Sequence, residues 1–358
     1  MRGAVLRGVS ELLEVRDDLQ VVPPGPGEVK LRVHASGVCH SDVSAQNGTI
    51  PVQMPIVLGH EGAGVVTEVG KGVTTLGEGD HVIIAWVTPC GHCTFCLTGQ
   101  ANLCTGGTNP SPRFSLAGDP VYGFAGTGTF AEELVVPAEA AIRIADDIPL
   151  DLASLIGCGV MTGVGAALNT AKVRPGSSVI VFGCGGVGVS IIQGARIAGA
   201  AEIVAVDRVA NKLEAARRFG ATHAVGADQL ADVKMEVTSG VGFDYAFEAI
   251  GSPQTIRAAY DAARRGGMAV IVGVGRTTEQ VQFSAFELFH GEKDLKGSLY
   301  GSGDVRTDFD RLIRLWRSGR LDLEGMISRR IGLSDVNEAF EAIQRGEAIR
   351  SVIEFSRA

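Results

Sequence analysis

A strand, a glycine-rich loop and a helix follow one another between residues 178 and 198, and this succession constrains the fold more than any other part of the chain. The strand is Ser178–Phe182, the loop is Gly-Cys-Gly-Gly-Val-Gly at residues 183–188, and the helical pattern covers Val189–Ala198. Residues 177–195 contain no charge, but the glycines interrupt them in the middle, so we interpret the stretch as strand, turn and helix and not as a membrane span.

The same alternation continues to about residue 301 and predicts a parallel sheet with helices on both of its faces. Before residue 159 the chain shows short strands separated by Gly- and Pro-rich turns, a pattern typical of a β-barrel or sandwich. Residues 105–128 are rich in Gly, Pro, Ser and Thr and predict a loop, after which 129–137 returns to strand. Two amphipathic helices and a last strand, at 305–318, 334–345 and 350–355, are expected after residue 301. The fold class is therefore α/β with a β-rich second domain.

Composition limits the function and the compartment. The 358 residues suffice for two domains, and 49 glycines indicate many tight turns. A net charge of −8 and a pI near 5.5 argue against nucleic-acid or anionic-membrane partners. No secretory signal is visible, and seven cysteines are an odd number, so we expect a reducing cytoplasm.

The glycine loop has the context that dinucleotide binding requires, because a strand precedes it, a helix follows it and Asp207 ends the next strand. Its glycines allow a pyrophosphate to approach the backbone at the helix N-terminus. Asp207 can accept hydrogen bonds from both adenosine ribose hydroxyls and would repel a 2′-phosphate, which favours NAD over NADP, although Arg208 weakens that preference. The alternative is an ordinary βαβ turn with glycines for packing.

Four cysteines lie within fifteen residues, as Cys90-x2-Cys93-x2-Cys96-x7-Cys104. Such short spacing can close a tetrahedral four-cysteine zinc site, which leaves no position for water and is therefore structural. An iron–sulfur cluster also takes four thiolates and is the alternative. His92 lies within the loop, but the four cysteines already complete the coordination.

A second group of potential zinc ligands is spread along the chain. Cys39 and His60 stand twenty-one residues apart, and Cys158 is the candidate third ligand. Three protein ligands leave an open position for water or substrate, as a catalytic zinc requires. Taken alone, most such pairs are a buried small thiol and a core histidine with its hydrogen bonds satisfied.

These motifs, in this order and spacing, resemble those of zinc-dependent medium-chain alcohol dehydrogenases. The matching segments are Gly37–Asp42, Gly59–Gly62, the four-cysteine lobe and Gly183–Gly188. The resemblance covers nearly the whole chain. It implies a GroES-like catalytic domain at 1–158 and 302–358, with the structural zinc lobe at 89–105, and a Rossmann domain at 159–301 between them.

By matching position, the resemblance also assigns roles around the catalytic zinc. Cys39, His60 and Cys158 resemble its ligands, and Glu61 resembles the family's glutamate behind that zinc. Asp42 matches the carboxylate that holds the zinc-bound histidine, and Ser41 matches the hydroxyl that takes the alcohol proton. Trp86 matches an aromatic wall of the alcohol pocket. Glu61 and Asp42 could also be ordinary strand-end acids, and Trp86 a core aromatic.

Further positions resemble residues that bind the cofactor. His40 and Arg350 match basic positions near the pyrophosphate, and Thr162 and Val187 match residues that press the nicotinamide toward the zinc. The complete set of expected cofactor-binding residues is His40, Thr162, Gly183, Gly185, Gly186, Val187, Gly188, Asp207, Arg208, Lys212, Val274 and Arg350.

The resemblance implies an NAD- and zinc-dependent alcohol dehydrogenase with two zinc ions per chain, a small alcohol or aldehyde substrate and a homodimeric or homotetrameric assembly. A glutathione-linked formaldehyde dehydrogenase shares every motif, but no acid lies between Ser44 and Pro55, where such a pocket would grip glutathione. Polyol dehydrogenases usually lack a cysteine at the third ligand, so Cys158 argues against them. A zinc-stabilised nucleotide-binding protein without activity would not need the three catalytic ligands.

One position departs from the family pattern. Many relatives carry a histidine three residues after the Ser/Thr hydroxyl, and it passes the proton to solvent. This chain has Ser44 there, and a serine is no base near neutral pH. We expect water, the ribose or another group to take over the outer proton transfer.

Overall fold

The computed structural model describes residues 1–107 and 111–355. Part of the predicted loop at 105–128 and the last three residues of the predicted range 302–358 lie outside the described residues. The strands, in chain order, are β1 (Gly3–Leu6), β2 (Glu14–Arg16), β3 (Leu19–Val21), β4 (Glu28–Val38), β5 (Ile56–Val57), β6 (Glu61–Val69), β7 (His81–Ile84), β8 (Phe114–Leu116), β9 (Asp119–Gly123), β10 (Glu133–Pro137), β11 (Ala141–Arg143), β12 (Ser178–Phe182), β13 (Glu202–Val206), β14 (His223–Val225), β15 (Phe243–Glu248), β16 (Ala263–Ile271), β17 (Asp294–Gly297), β18 (Ile327–Ile331) and β19 (Arg350–Glu354).

The α-helices are α1 (His40–Gln46), α2 (Thr94–Leu97), α3 (Leu150–Leu155), α4 (Met161–Gly165), α5 (Gly186–Ala198), α6 (Ala210–Phe219), α7 (Leu230–Thr238), α8 (Pro253–Ala262), α9 (Ala285–Gly291), α10 (Val305–Arg317) and α11 (Val336–Arg345). Two π-helical segments, Ile156–Val160 and Ala166–Ala171, flank α4. Together these elements form one helical stretch, Leu150–Ala171, that is long and apolar enough to cross a membrane by length and composition alone. Because 89% of its most apolar window is buried within the structure, as in a core helix, it is weak evidence for a span.

The chain divides into two compact units. The first contains Met1–Gly159, Asp304–Trp316 and residues 323–355, and the second contains Val160–Gly303 and Arg317–Asp322. We call them the β-rich unit and the parallel-sheet unit. The predicted domain limits stay predictions.

The β-rich unit contains two sheets. One has the order β2-β1-β5-β9-β8-β3, and the other has the order β11-β7-β6-β4-β19-β18, with β10 also paired to β4. The long strand β4 alternates buried residues with half-buried or exposed ones until Ala35 and is then buried to its end at Val38, two residues before α1 begins at His40. Side chains from both sheets and from α11 share one hydrophobic core. The end of β4 therefore leads directly from this core into the segment that carries Cys39, Ser41 and Asp42.

The parallel-sheet unit contains six strands in the order β14-β13-β12-β15-β16-β17, all of them parallel. Strand order runs from β12 in both directions, and right-handed crossovers then place successive helices on opposite faces. The central strands are continuously apolar because both of their faces are buried. The predicted doubly wound parallel sheet is confirmed.

Some predicted elements differ from the structure. The described part of 105–128 is not all loop, because β8 and β9 pair with each other across a turn at Ala117 and Gly118. The dense Gly, Pro and Ser content hid two strands of only three and five residues. Strand β16 extends from Ala263 to Ile271 and ends before Val274, one of the expected cofactor-binding residues.

Candidate active site

Cys39, His60, Glu61 and Cys158 converge on one buried point of the β-rich unit. Their ligand atoms all lie within 4.8 Å of one another. Cys39 lies just after β4, His60 and Glu61 stand at the start of β6, and Cys158 lies in the π-helical segment after α3. Two thiols, an imidazole and a carboxylate are donors that suit zinc, so the residues present fit the predicted metal.

The electrostatics of the group agree with shared cation binding. The neighbouring Cys158 thiol lowers the pKa of Cys39 well below its usual range, and the Cys39 thiolate raises that of Cys158, because the two sulfurs compete for one proton. Burial alone would lower the pKa of His60, but Asp42 and Cys39 outweigh it and raise that pKa well above its usual range. Because zinc binds thiolates and neutral imidazole, a divalent cation at this site would displace the protons that these groups hold.

Asp42 is fully buried and joins the start of α1 to the segment that precedes β6. Its Oδ1 lies 3.1 Å from His60 Nδ1 and accepts a hydrogen bond of 3.0 Å from the Gly59 amide. Its Oδ2 accepts the Cys39 amide at 2.9 Å. A carboxylate on Nδ1 orients the imidazole and leaves Nε2 for a metal. The contact that the resemblance implied for Asp42 is therefore present, while its role stays a prediction.

Glu61 and Arg350 form a buried ion pair beside the same group. Glu61 Oε1 lies 3.4 Å from Arg350 Nη2 and accepts the Gly159 amide at 3.2 Å, while Oε2 has no hydrogen-bond partner among the described residues. Burial raises the pKa of Glu61 to about 8, although Arg350 opposes the shift. A Cβ at Gly159 would collide with the Arg350 guanidinium, so glycine is required there. The structure thus places Arg350 against Glu61, and its pyrophosphate contact stays a prediction.

Ser41 and two aromatic rings surround the ligand group. Cys39 Sγ lies 3.8 Å from Ser41 Oγ. The rings of Trp86 and Phe124 meet the His60 ring edge-on, at centroid distances of 6.4 and 5.3 Å. Sequence reasoning found Trp86 but missed Phe124, which lies just after β9 in the stretch predicted as loop. An aromatic residue in a polar, Gly-rich segment was the available signal for it.

The four predicted structural ligands also meet in the β-rich unit. The sulfurs of Cys90, Cys93, Cys96 and Cys104 lie within 4.8 Å of one another. Backbone amides of Cys90, Cys93 and Cys96 donate to sulfurs of the group at 3.3–3.5 Å. These bonds favour thiolates, and the Cys96 amide is the main cause that lowers the pKa of Cys93 to about 6. The His92 ring bonds the Cys90 carbonyl at 2.8 Å.

Removing one of these sulfurs should detach the lobe's metal. We expect Cys96→Ala to lose one zinc per chain and to lower the unfolding temperature by roughly 5 °C or more, since a structural zinc contributes several kcal/mol. Metal analysis and calorimetry measure both quantities. His92→Ala is the matched control and should keep the metal. Unchanged zinc content in Cys96→Ala contradicts the assignment.

The glycine loop lies in the parallel-sheet unit, between β12 and α5. Gly183 has φ +90°, a conformation that L side chains rarely adopt, and a Cβ at Gly188 would collide with the Gly183 carbonyl oxygen. A Cβ at Gly185 would face open space. Asp207, just after β13, accepts the Cys184 amide at 2.8 Å and the Val209 amide at 3.0 Å. The carboxylate is thereby held beside the loop, as recognition of a ribose requires.

The other predicted cofactor residues fall into separate places. Thr162 is buried on α4, and the next residue, Gly163, packs against the Val187 carbonyl of α5. Lys212 is half-buried on α6, whereas Arg208 and Val274 are exposed. Gly186 begins α5, and His40 begins α1 in the β-rich unit. The structure thus brings Thr162 and Val187 near each other, and the cofactor roles of all these residues stay predictions.

Two protein-family models match the chain. The model described as "Alcohol dehydrogenase GroES-like domain" matches residues 25–146, and the one described as "Zinc-binding dehydrogenase" matches residues 186–318. The S-(hydroxymethyl)glutathione dehydrogenases of Escherichia coli O1:K1 and Shigella sonnei are each 40% identical over 369 residues, which cover 99% of both chains.

Two solved structures are also similar to this chain over its whole length. The alcohol dehydrogenase zinc-binding domain protein from Burkholderia ambifaria is 33% identical with a TM-score of 0.93. Benzyl alcohol dehydrogenase from Acinetobacter calcoaceticus is 30% identical with a TM-score of 0.92. Each match covers 99% of both chains. The similarity therefore extends over both units.

Proposed function

Because the chain belongs to the zinc-dependent medium-chain alcohol dehydrogenase family, we propose that it interconverts an alcohol and an aldehyde or ketone with NAD as hydride acceptor. The predicted family, the GroES-like and Rossmann fold class and the oxidoreductase class are confirmed. Membership of this enzyme family also excludes the alternative of a nucleotide-binding protein without activity. The specific cofactor, site roles and substrate are the subject of the proposal.

One observation carries the proposal: the buried convergence of Cys39, His60, Glu61 and Cys158, whose ligand atoms lie within 4.8 Å of one another. A structural role would not need ligands from three distant segments beside a serine hydroxyl. When bound, zinc would supply a Lewis acid that lowers the pKa of an alcohol, and NAD would supply the hydride acceptor. Cys39, His60 and Cys158 would hold that zinc, and Cys90, Cys93, Cys96 and Cys104 a second, structural one.

The chain's own groups have the following tasks. Ser41 Oγ accepts the proton of the alcohol hydroxyl. Asp42 holds the His60 ring in the tautomer that leaves Nε2 unprotonated. Arg350 lies 3.4 Å from Glu61 Oε1 and favours the ionised form of that carboxyl against the effect of burial. Trp86 and Phe124 pack against His60 in T-shaped contacts and shield that side of the ring from water.

A panel of primary, secondary and aromatic alcohols with NAD tests the proposal through the absorbance of the reduced cofactor. We expect turnover of at least one class and two zinc ions per chain. If no alcohol or aldehyde reacts while the protein binds zinc and cofactor, the proposed reaction is wrong.

A glutathione-linked reaction is the second candidate, favoured by the 40% identity with S-(hydroxymethyl)glutathione dehydrogenases. Residues 45–54 contain no acidic side chain, and the rings at His60 are apolar, so we expect poor recognition of a charged glutathione adduct. Comparing kcat/KM for S-(hydroxymethyl)glutathione and for benzyl alcohol decides between the candidates. A higher value for the glutathione adduct favours the second.

Ser44 provides a prediction about proton transfer. It is buried on α1, three residues after Ser41. We expect Ser44→His to shift or steepen the pH dependence of kcat, because an imidazole can pass a proton near neutral pH and a serine cannot. Ser44→Asn is the control, since an amide adds bulk without a base. Identical pH profiles for the wild type and Ser44→His count against the interpretation.

We further propose a catalytic domain of residues 1–158 and 302–358 and a dinucleotide-binding domain of 159–301. Both cysteine groups lie in the β-rich unit and the glycine loop in the parallel-sheet unit, which supports this division. A homodimer or homotetramer in the cytoplasm completes the proposal. Exposed apolar side chains support the oligomer, because a second subunit could cover them. They are Leu295 on the edge strand β17, and Phe286 and Phe289 on α9, the helix that precedes β17 in the chain. Light scattering that gives a monomer would exclude the oligomer.

A further inference from the structure

Glu248 is a fully buried carboxylate that the proposed chemistry does not use. It ends β15 in the parallel-sheet unit, where its backbone pairs with Phe182, the residue before the glycine loop. Strand order changes direction between β12 and β15, and open α/β sheets bind ligands outside the carboxyl ends of strands at such a point. Glu248 therefore lies directly beneath the expected cofactor crevice.

A single oxygen of Glu248 orders the turn that follows β15. Oε1 accepts the amides of Ile250 and Gly251 at 2.8 Å each and the Thr255 hydroxyl at 2.7 Å. Oε2 is buried with no hydrogen-bond partner among the described residues. Burying the carboxylate costs desolvation energy, which the three bonds to Oε1 offset. Those bonds tie the backbone of residues 250 and 251 to Thr255 of α8.

The turn after β15 contacts two loops, the glycine loop and the loop after β16. Ile250 lies over Gly183, where a Cβ would come within 2.6 Å of Ile250 Cγ1. On the other side, a Cβ at Gly251 would collide with the Val274 backbone. The Glu248 carbonyl also accepts the amides of Val272 and Gly273, at 2.8 and 3.0 Å. Through its side chain and main chain, one residue thus links the glycine loop to the loop after β16.

Two apolar side chains held in this way face outward at the carboxyl edge. Ile250 is 49% exposed and Val274 is 52% exposed. Asp207 follows β13, on the opposite side of β12. A dinucleotide with its ribose at Asp207 and its pyrophosphate at the glycine loop would therefore extend its nicotinamide half toward Ile250 and Val274.

We propose that Glu248 is a positioning residue for the cofactor: it holds Ile250 and Val274 where the nicotinamide half of NAD packs, without touching NAD itself. This inference rests on the proposed NAD-dependent function. A change at Glu248 should therefore affect cofactor affinity and not the chemical step, because Cys39, His60 and Cys158 belong to the other unit.

Glu248→Gln tests the inference on the zinc-loaded protein. A neutral amide accepts more weakly and buries an NH2 group where Oε2 has no partner, so the turn should loosen. We expect the Kd for NADH and the KM for NAD to rise about tenfold, roughly the loss of one charge-assisted hydrogen bond. At saturating NAD, kcat should stay within about twofold or increase. NADH fluorescence titration and initial rates measure these quantities.

Glu236→Gln, which changes an exposed carboxylate on α7 of the same unit, is the matched control and should bind NADH as the wild type does. If Glu248→Gln does not fold, Thr255→Val decides instead, because it removes one donor from the same oxygen; about threefold weaker binding is then expected. An unchanged Kd with a lower unfolding temperature would identify a purely structural role and overturn the inference. A wild type that binds no NADH would refute the proposed cofactor instead.

Discussion

Replacing Cys158 by alanine is expected to remove one of two zinc ions per chain and to lower kcat/KM by roughly a thousandfold or more. The estimate follows from the several kcal/mol that a Lewis acid contributes to stabilising a developing alkoxide. Cys158 is buried, and its sulfur lies within 4.8 Å of the other three ligand atoms. A solvent-exposed side chain could therefore not replace it as a zinc ligand. Elemental analysis and steady-state kinetics measure the two effects.

Cys184→Ala is the matched control for the metal content. Cys184 is equally buried, but it lies in the glycine loop of the other unit and belongs to neither ligand group. We expect this variant to keep two zinc ions. A Cys158→Ala protein that folds, keeps two zinc ions and retains wild-type kcat/KM would show that Cys158 is no ligand.

Replacing Asp207 by alanine should shift the cofactor preference toward NADP. We expect kcat/KM for NAD to fall about a hundredfold, because two charge-assisted hydrogen bonds to ribose hydroxyls are lost. Loss of the negative charge also removes the repulsion of a 2′-phosphate, so the rate with NADP should fall less or increase. Initial rates with each cofactor at one fixed alcohol concentration give the ratio.

A control must separate ribose recognition from loop stability, since Asp207 also accepts the amides of Cys184 and Val209. Asp207→Asn keeps an oxygen for one of those amides while it removes the charge, and it should shift the preference toward NADP with a smaller loss of NAD activity. Arg208→Ala should weaken NADP alone. An unchanged NAD/NADP ratio in Asp207→Ala would exclude this residue as the determinant.

The sequence predicted most of the elements that carry short, local signals. The strand–glycine loop–helix order and the four-cysteine spacing each depend on neighbouring residues, and the structure contains both. The parallel sheet followed from the same alternation of strands and helices. Cys39, His60 and Cys158 were candidates by residue type, but only the family resemblance favoured a shared zinc, because spacing alone does not reveal that distant segments meet.

Contacts between distant side chains could not be predicted. Arg350 lies against Glu61 because β19 pairs with β4 and Gly159 leaves space for the guanidinium, and no local pattern reveals this arrangement. Phe124 was missed because its segment has the composition of a loop. Glu248 reads as an ordinary strand-end acid until its three donors are seen. The roles of side chains that act through tertiary contacts therefore become visible only in the folded structure.

Anomalous diffraction at the zinc absorption edge, on crystals of the zinc-loaded protein, tests the central claim most directly. We predict two peaks per chain, one of them about 2.0–2.3 Å from Cys39 Sγ, His60 Nε2 and Cys158 Sγ. The other should lie among the sulfurs of Cys90, Cys93, Cys96 and Cys104. A single peak at the four cysteines, with none at Cys39, would contradict the assignment of a catalytic zinc.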